Sequence, residues 1–223
     1  MTGRVYAVGA ASPYSIGVLR WDDECAVAAV LARAFVDDPL VRTICDMPSP
    51  QRLERMRWGF RVAVRAHCLS AQPAWTIVNA AGEPVGVVLV SRAGAAPPAR
   101  SDVLFTLRGF WHIGLRAGIR GARAADIIMM HAPVEPFTYL RTLGIDPALH
   151  GCGLGSRLVE QVLRVAPSTM PVYLETAKRD NIRFYARHGF QCIGEFRCLS
   201  VPVWRLRRPA ARLLPSDTRN SSR

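Results

Sequence analysis

The chain has 223 residues, half of them hydrophobic and 21% charged; this excludes whole-chain disorder, collagen and coiled coil and leaves enough length to bury a core without staples. Its longest uninterrupted apolar run, near residues 25–32, falls short of the roughly 20 residues of a membrane span. Basic residues outnumber acidic ones 29 to 17, for a net charge of +12, and Lys178 is the only lysine. Arginine pairs bidentately with phosphate, so a phosphate-bearing cofactor and nucleic acid both enter as partners, beside plain arginine-rich codon usage.

Residues 1–6 show no basic region followed by an apolar core, and six cysteines at 25, 45, 68, 152, 192 and 198 have no CxxC spacing. Reduced core thiols and a cytoplasmic location follow. Residues 16–21 read as a short strand, and 22–35 as a helix capped by Asp22 or Asp23 and stopped before Asp37-Asp38-Pro39. Pro48-Ser49-Pro50 introduces a second helix over 51–70. Strands over 75–79 and 84–91 flank Ala81-Gly82-Glu83 as a hairpin. Residues 93–100 form a loop. Over 102–125, Arg108, Arg116, Arg120 and Arg123 fall within a helical stripe of about 120° that glycines 109, 114, 118 and 121 weaken.

The rest alternates: strand 137–145, loop 146–155, helix 156–165, strand 172–175, helix 181–188, strand 190–195 and strand 201–206. This order implies an α/β fold with a central mixed β-sheet flanked by helices. One domain spans 16–208 with a helical insert at about 93–130, preceded by a flexible segment 1–15 and followed by a disordered basic tail 209–223.

The loop His150-Gly151-Cys152-Gly153-Leu154-Gly155-Ser156 leads into an amphipathic helix. Its glycines let the backbone turn tightly and approach a ligand, while the free N–H groups and dipole of a helix start attract an anion such as pyrophosphate. Walker A is excluded by the lack of Gly-Lys-Ser/Thr. A dinucleotide site stays open, because Glu175 lies near the spacing of a ribose-binding acid. No metal site is read.

In company with its neighbours the loop becomes specific. Leu143-Gly144-Ile145-Asp146-Pro147-Ala148-Leu149-His150-Gly151-Cys152-Gly153-Leu154-Gly155 resembles the acetyl-CoA loop of the GNAT superfamily of N-acetyltransferases. Tyr173-Leu174-Glu175-Thr176 and Asn181-Ile182-Arg183-Phe184-Tyr185-Ala186-Arg187-His188-Gly189-Phe190 resemble that family's next strand and helix. His131-Ala132-Pro133-Val134-Glu135-Pro136 and Phe35-Val36-Asp37-Asp38-Pro39 are similar to the puromycin N-acetyltransferase branch. The specific resemblance covers about 131–196, and His150 stands where the family usually has Gln or Arg.

The resemblance implies the GNAT acyl-CoA N-acyltransferase fold and transfer of acetyl from acetyl-CoA to a primary amine of a small molecule, a drug or metabolite, by direct attack in a ternary complex. It implies that Leu143, Gly144 and Ile145 pair with the pantetheine arm, and that His150, Gly151, Cys152, Gly153, Leu154, Gly155 and Ser156 hold the diphosphate. Asn181 caps its helix or bonds a pantetheine amide. Tyr185 protonates the leaving sulfur, and Glu135, opening the central strand, takes the amine proton. Glu175 forms a salt bridge or touches substrate; Cys152 has no base beside it in sequence and takes no chemical part. A homodimer is a further expected partner state. A non-catalytic acyl-CoA binder is the alternative, with a basic nucleic-acid binder behind it and no membrane partner.

Overall fold

In the computed structural model, which describes residues 12–92 and 111–211, one mixed sheet runs through the molecule. Its strands are β1 (Ser15–Val18), β2 (Ala74–Val78), β3 (Pro84–Ser91), β4 (Thr138–Ile145), β5 (Val172–Thr176), β6 (Gln191–Cys198) and β7 (Val201–Arg208). Their spatial order is β1-β2-β3-β4-β5-β7-β6, and only β4 and β5 are parallel neighbours. The helices are α1 (Glu24–Phe35), α2 (Pro39–Ile44), α3 (Ser49–Leu69), α4 (Leu115–Met130), α5 (Leu154–Val165) and α6 (Asp180–Ala186).

β3 explains the layering. Its Val87 and Leu89 pack with Val27 and Leu31 of α1 and Val64 of α3. Val88 and Val90 point the other way, into a core with Leu158, Val159 and Val162 of α5. A strand covered on both faces loses polar alternation, hence the continuous apolar run of its sequence. Each fully buried aliphatic side chain here stabilises by about 1.5–3 kcal/mol.

Two irregularities open the sheet in its middle. β4 and β5 pair only through Thr138↔Val172 and Tyr139↔Tyr173, and beyond them the strands separate. On the other side of β4, Leu89 faces Thr142 while Val90 faces Leu140, so Arg141 is the extra residue of a β-bulge. A bulge bends and further twists its strand. The bulge lies three residues before Gly144.

Several boundaries differ from the sequence reading for local reasons. β1 ends at Val18, and Trp21–Asp23 form a single 3-10 turn before α1. Asp23 occupies the cap position of α1, but its side chain makes no capping bond. The short helix α2 was not legible, although its signal was present: Asp38 Oδ1 accepts from the N–H groups of Leu40 and Val41 at 3.0 and 3.2 Å, and Pro39 occupies the first helical position. The expected helix is present over residues 111–113, breaks at Gly114, whose φ is 88°, and resumes as α4; residues 102–110 of it lie outside the described residues, as do most of the expected leading segment and tail. All six cysteines are free thiols. Among the described residues no helix is long and apolar enough to cross a membrane, and no group of metal-ligating side chains gathers.

The β6–β7 hairpin turns through Leu199 and Ser200, both left-handed at φ 48° and 72°. Two-residue turns of this hand favour Asn-Gly, because a β-carbon is strained there. Ser200→Gly is expected to stabilise the protein by about 1 kcal/mol, raising Tm by about 2–4 °C; a melting curve checks it, and a lower Tm would contradict the strain.

Candidate active site

The gap between β4 and β5 supplies unpaired backbone. Asp146 N–H donates to Val85 O at 2.9 Å, so by antiparallel alternation Gly144 also turns its polar groups toward β3, whereas Leu143 and Ile145 turn theirs into the gap. Gly144 therefore contributes differently from expectation. A β-carbon on it would meet Leu31 Cδ2 at 2.8 Å, Ala34 at 3.2 Å and Phe35 at 3.4 Å, so its role is to let α1 lie close against β4. His150 Nε2 is 3.3 Å from Ile145 O and occupies one of the gap's acceptors.

The glycine loop closes one end of this gap. Gly151 and Gly153 have φ of 83° and 76°, and a β-carbon on either would point into open space. Gly153 is the N-cap of α5, with no side chain capping the helix, so the first N–H groups of α5 have no intrahelical acceptor. The loop is held from behind: Arg33 of α1 pairs with Asp146 at 2.5 Å, and Asp146 also accepts from Ala148 N at 3.1 Å. Burial opposes ionisation of Asp146, but these bonds outweigh it and hold its carboxyl below the ordinary value. His188 reaches Ser156 Oγ at 3.1 Å, fixing α6 to the start of α5.

A cavity of about 350 Å³ is bounded by Leu143–Ile145, the loop, and Asn181, Phe184 and Tyr185 of α6. Lys178 and Arg187 also line it, adding positive charge to the α5 dipole. Open left-handed glycines, uncapped amides and two cations form a cradle suited to a diphosphate, and the unpaired edge of β4 suits an extended amide chain. Cys152 is exposed and does not line the cavity. Asn181 does not cap α6: that position is Arg179, and the Asn181 amide donates instead to Thr176 Oγ1 at 2.9 Å, tying α6 to the end of β5.

Adjoining it lies a second cavity of about 230 Å³, and the two share Phe35, Asp38, Leu143, Asn181 and Tyr185 as wall residues. Tyr185 is 6% exposed, and burial alone pushes its phenol up. The second cavity holds Glu175 and Tyr139. Tyr139 O–H donates to Glu175 Oε2 at 2.7 Å, while the buried Glu175 Oε1 has no partner among the described residues. Burial raises the Glu175 carboxyl in spite of the tyrosine bonds and nearby Arg141 that favour its charge; burial and then the Glu175 charge push the Tyr139 phenol well up. Asp38 is raised too, burial exceeding the effect of its two capping bonds.

Glu135 is not part of this arrangement. It precedes β4 at the end remote from Gly144, is half exposed, and pairs with Arg207 at 2.8 Å; neither cavity includes it. At about 3.3 Å per residue a strand of that length holds it well away from the gap. Besides Asp38, the carboxylate that the fold brings to the gap is Glu175. Its signal in the sequence was its position two residues after Tyr173 on a strand, which puts both on the same face.

The acetyltransferase (GNAT) family model matches residues 42–190. N-alpha-acetyltransferase RimI of Mycobacterium tuberculosis is 36% identical over 84 residues, which are 33% of this chain and 52% of RimI. An uncharacterised protein of Mycobacterium leprae is 38% identical over 84 residues, 33% of this chain and 23% of that protein. The chain thus spans between about a quarter and a half of these relatives. Among solved structures, histone acetyltransferase HPA2 and related acetyltransferase from Corynebacterium glutamicum superposes with a TM-score of 0.65 at 20% identity, covering 90% of this chain and 98% of that one. The C-terminal condensation domain of Ebony, in complex with beta-alanyl-dopamine, gives 0.54 at 10% identity, covering 87% and 97%. These structures share the fold.

Proposed function

The chain belongs to the GNAT acetyltransferase family, whose acyl donor is acetyl-CoA, and from that premise we propose that it acetylates a primary amine of a small molecule, with Glu175 as the proton acceptor. The observation that carries this reading is the pair of cavities meeting at the β4–β5 gap: one is an anion cradle, the other a pocket with a half-buried carboxylate, and Tyr185 lies in the wall they share. Motifs at 35–39 and 131–136 support a puromycin N-acetyltransferase-like acceptor range, and six free thiols support a cytoplasmic setting.

Leu143 and Ile145 offer main-chain groups to the pantetheine arm; Gly151, Gly153, Leu154, Gly155 and Ser156 offer amides to the diphosphate. When bound, acetyl-CoA supplies the acetyl group as a thioester whose sulfur can leave. Phe35, Phe60, Tyr139 and Asp38 line the acceptor side with Glu175, so aromatic walls take the body of the amine and two carboxylates attract its charged form. Glu175 accepts the proton that the nitrogen must lose, directly or through a water, and the O–H of Tyr139 holds it in place. Tyr185 keeps its proton because burial raises the phenol, so it acts as a hydrogen-bond donor to the developing thiolate; full transfer to a thiolate of ordinary pKa about 8.5 runs uphill.

Saturating acetyl-CoA, at about 100 times its Kd, is expected to raise Tm by about 5–10 °C, while NAD leaves it unchanged. A panel of amines read by thiol release then identifies the acceptor class. No shift with acetyl-CoA would reject the donor assignment. Tyr185→Phe is expected to lower kcat by about 10- to 100-fold with little change in the acetyl-CoA Kd; an unchanged kcat would remove Tyr185 from the chemistry.

A further inference from the structure

A third and larger hollow lies behind α2, on the side away from the acceptor cavity. It holds about 1320 Å³ between α2, α4 and the β6–β7 turn, more than the roughly 300–1,000 Å³ of a small-molecule pocket. Arg42, Arg120 and Arg123 enter it from two helices, and among the described residues Asp46 is the lone acid in its wall. Arg120 is pinned: its guanidinium donates to Thr43 O at 3.3 Å and stands 3.8 Å from Asp46. Asp46 is 78% exposed, so that pair is screened and weak. Arg42 and Arg123 are exposed, and among the described residues neither has an ion-pair partner. Arg52 adds structure rather than free charge, since it donates to Val36 O and Met47 O at 2.8 and 2.9 Å.

Apart from Thr43 and Ser200, the rest of the described wall is apolar. Ile119 and Ile127 of α4 face Leu199, Val201 and Pro202 of the hairpin, and among the described residues no aromatic ring lines the cleft. Ile119 is 59% exposed. The rim includes Leu199 and Ser200, both held in the left-handed conformation; residues kept in such strain cluster at ligand clamps.

We propose that this cleft docks an acidic segment of another polypeptide, one that alternates carboxylates with aliphatic side chains. Three features select that occupant. Uncompensated arginines call for anionic charge. The described walls are aliphatic and carry no aromatic stacking surface, which suits leucine- or valine-type side chains better than nucleobases. Residues 1–11, 93–110 and 212–223 each carry net positive charge and a second copy carries +12, so none of them matches that anionic charge. The site is separate from the two cavities of the β4–β5 gap and stands whether or not the amine assignment holds.

The test is fluorescence anisotropy on the full chain with arrayed dodecapeptides that mix Asp and Glu with Leu, Val and Ile. Matched peptides with Lys for each acid and a 12-mer oligothymidylate serve as comparison probes. Acidic members are expected to bind saturably at micromolar Kd, more weakly as salt rises, and the Lys versions not at all. Arg42→Glu with Arg123→Glu should weaken binding by at least 10-fold. Ile119→Asp, which changes an exposed apolar residue, should weaken it independently. Both variants should keep the wild-type thermal response to acetyl-CoA or, if wild type shows none, the wild-type melting curve. No saturable binding by any acidic member, unchanged affinity in the variants, or tighter binding of oligothymidylate through the same arginines overturns the proposal.

Discussion

Glu175→Gln should reduce kcat/KM by about 10²- to 10⁴-fold, the range that a positioned general base contributes. The replacement is nearly isosteric and keeps a carbonyl oxygen for the Tyr139 hydroxyl, which now sits 2.7 Å from Glu175 Oε2; what it removes is the proton acceptor. The pH profile separates this from a packing effect. Burial raises the Glu175 carboxyl, so wild-type activity should climb with pH along a limb lying above the ordinary carboxylate range near 4.3, and Glu175→Gln should lack that limb. Stability should move in the opposite direction. A carboxyl whose folded pKa exceeds its unfolded one contributes stability that is fully present below the unfolded pKa and lost as pH rises through the folded pKa. Gln suffers no such loss, so above that pH the variant should melt no lower than wild type. Glu135→Gln, altering only an ion pair with Arg207 remote from the gap, should change the rate less than 3-fold. Activity within 3-fold of wild type in Glu175→Gln, or a retained acidic limb, would exclude this residue as the base.

Why Glu175 rather than Glu135 reaches the gap is a lesson about registers. Strand positions, the Gly-rich turn and the α5 stripe are local properties, and residues 137–208 carry them openly: periodicity, Pro167 and Gly189 set the boundaries within a few residues. The separation of β4 from β5 is not local. It arises because two strands distant in sequence pair at only two positions and because β4 bulges at Arg141 against β3, and no propensity in either strand encodes that. A carboxylate's distance from the gap could therefore not be read until the pairing was known.

Gly144 shows the same limit from the other side. A glycine inside a strand announces close approach, and the approach is real, but its partner is α1 through Leu31, Ala34 and Phe35. Close helix–strand packing and close ligand packing leave the same mark in a sequence. Asp38-Pro39 marked the end of α1 and also the start of α2, with Asp38 as cap; one short motif did two jobs, and only the first was read. That the glycine loop leads into one helix and that Tyr185 lies on the next was legible, because both are local properties of the chain.

Gly153→Asp should separate folding from donor binding. Gly153 is the uncapped N-cap of α5, at φ 76° and ψ 0°. An Asp there can accept from the N–H groups of Gly155 and Ser156, a gain over Gly of only a few tenths of a kcal/mol, set against about 1 kcal/mol for a β-carbon in the left-handed region. The net change in stability should stay within about 1 kcal/mol. The new carboxylate, however, occupies the amides that the diphosphate needs and places negative charge at the mouth of the cradle, so acetyl-CoA affinity should fall at least 100-fold, about 2.8 kcal/mol. Gly153→Ala carries the same strain without the charge or the acceptor and should lose far less. Calorimetric titration of both variants against acetyl-CoA decides it. If the Asp variant binds within 5-fold of wild type, the amides at the start of α5 do not hold the phosphates, and the cradle formed by Gly151 and Gly153 serves some other anion.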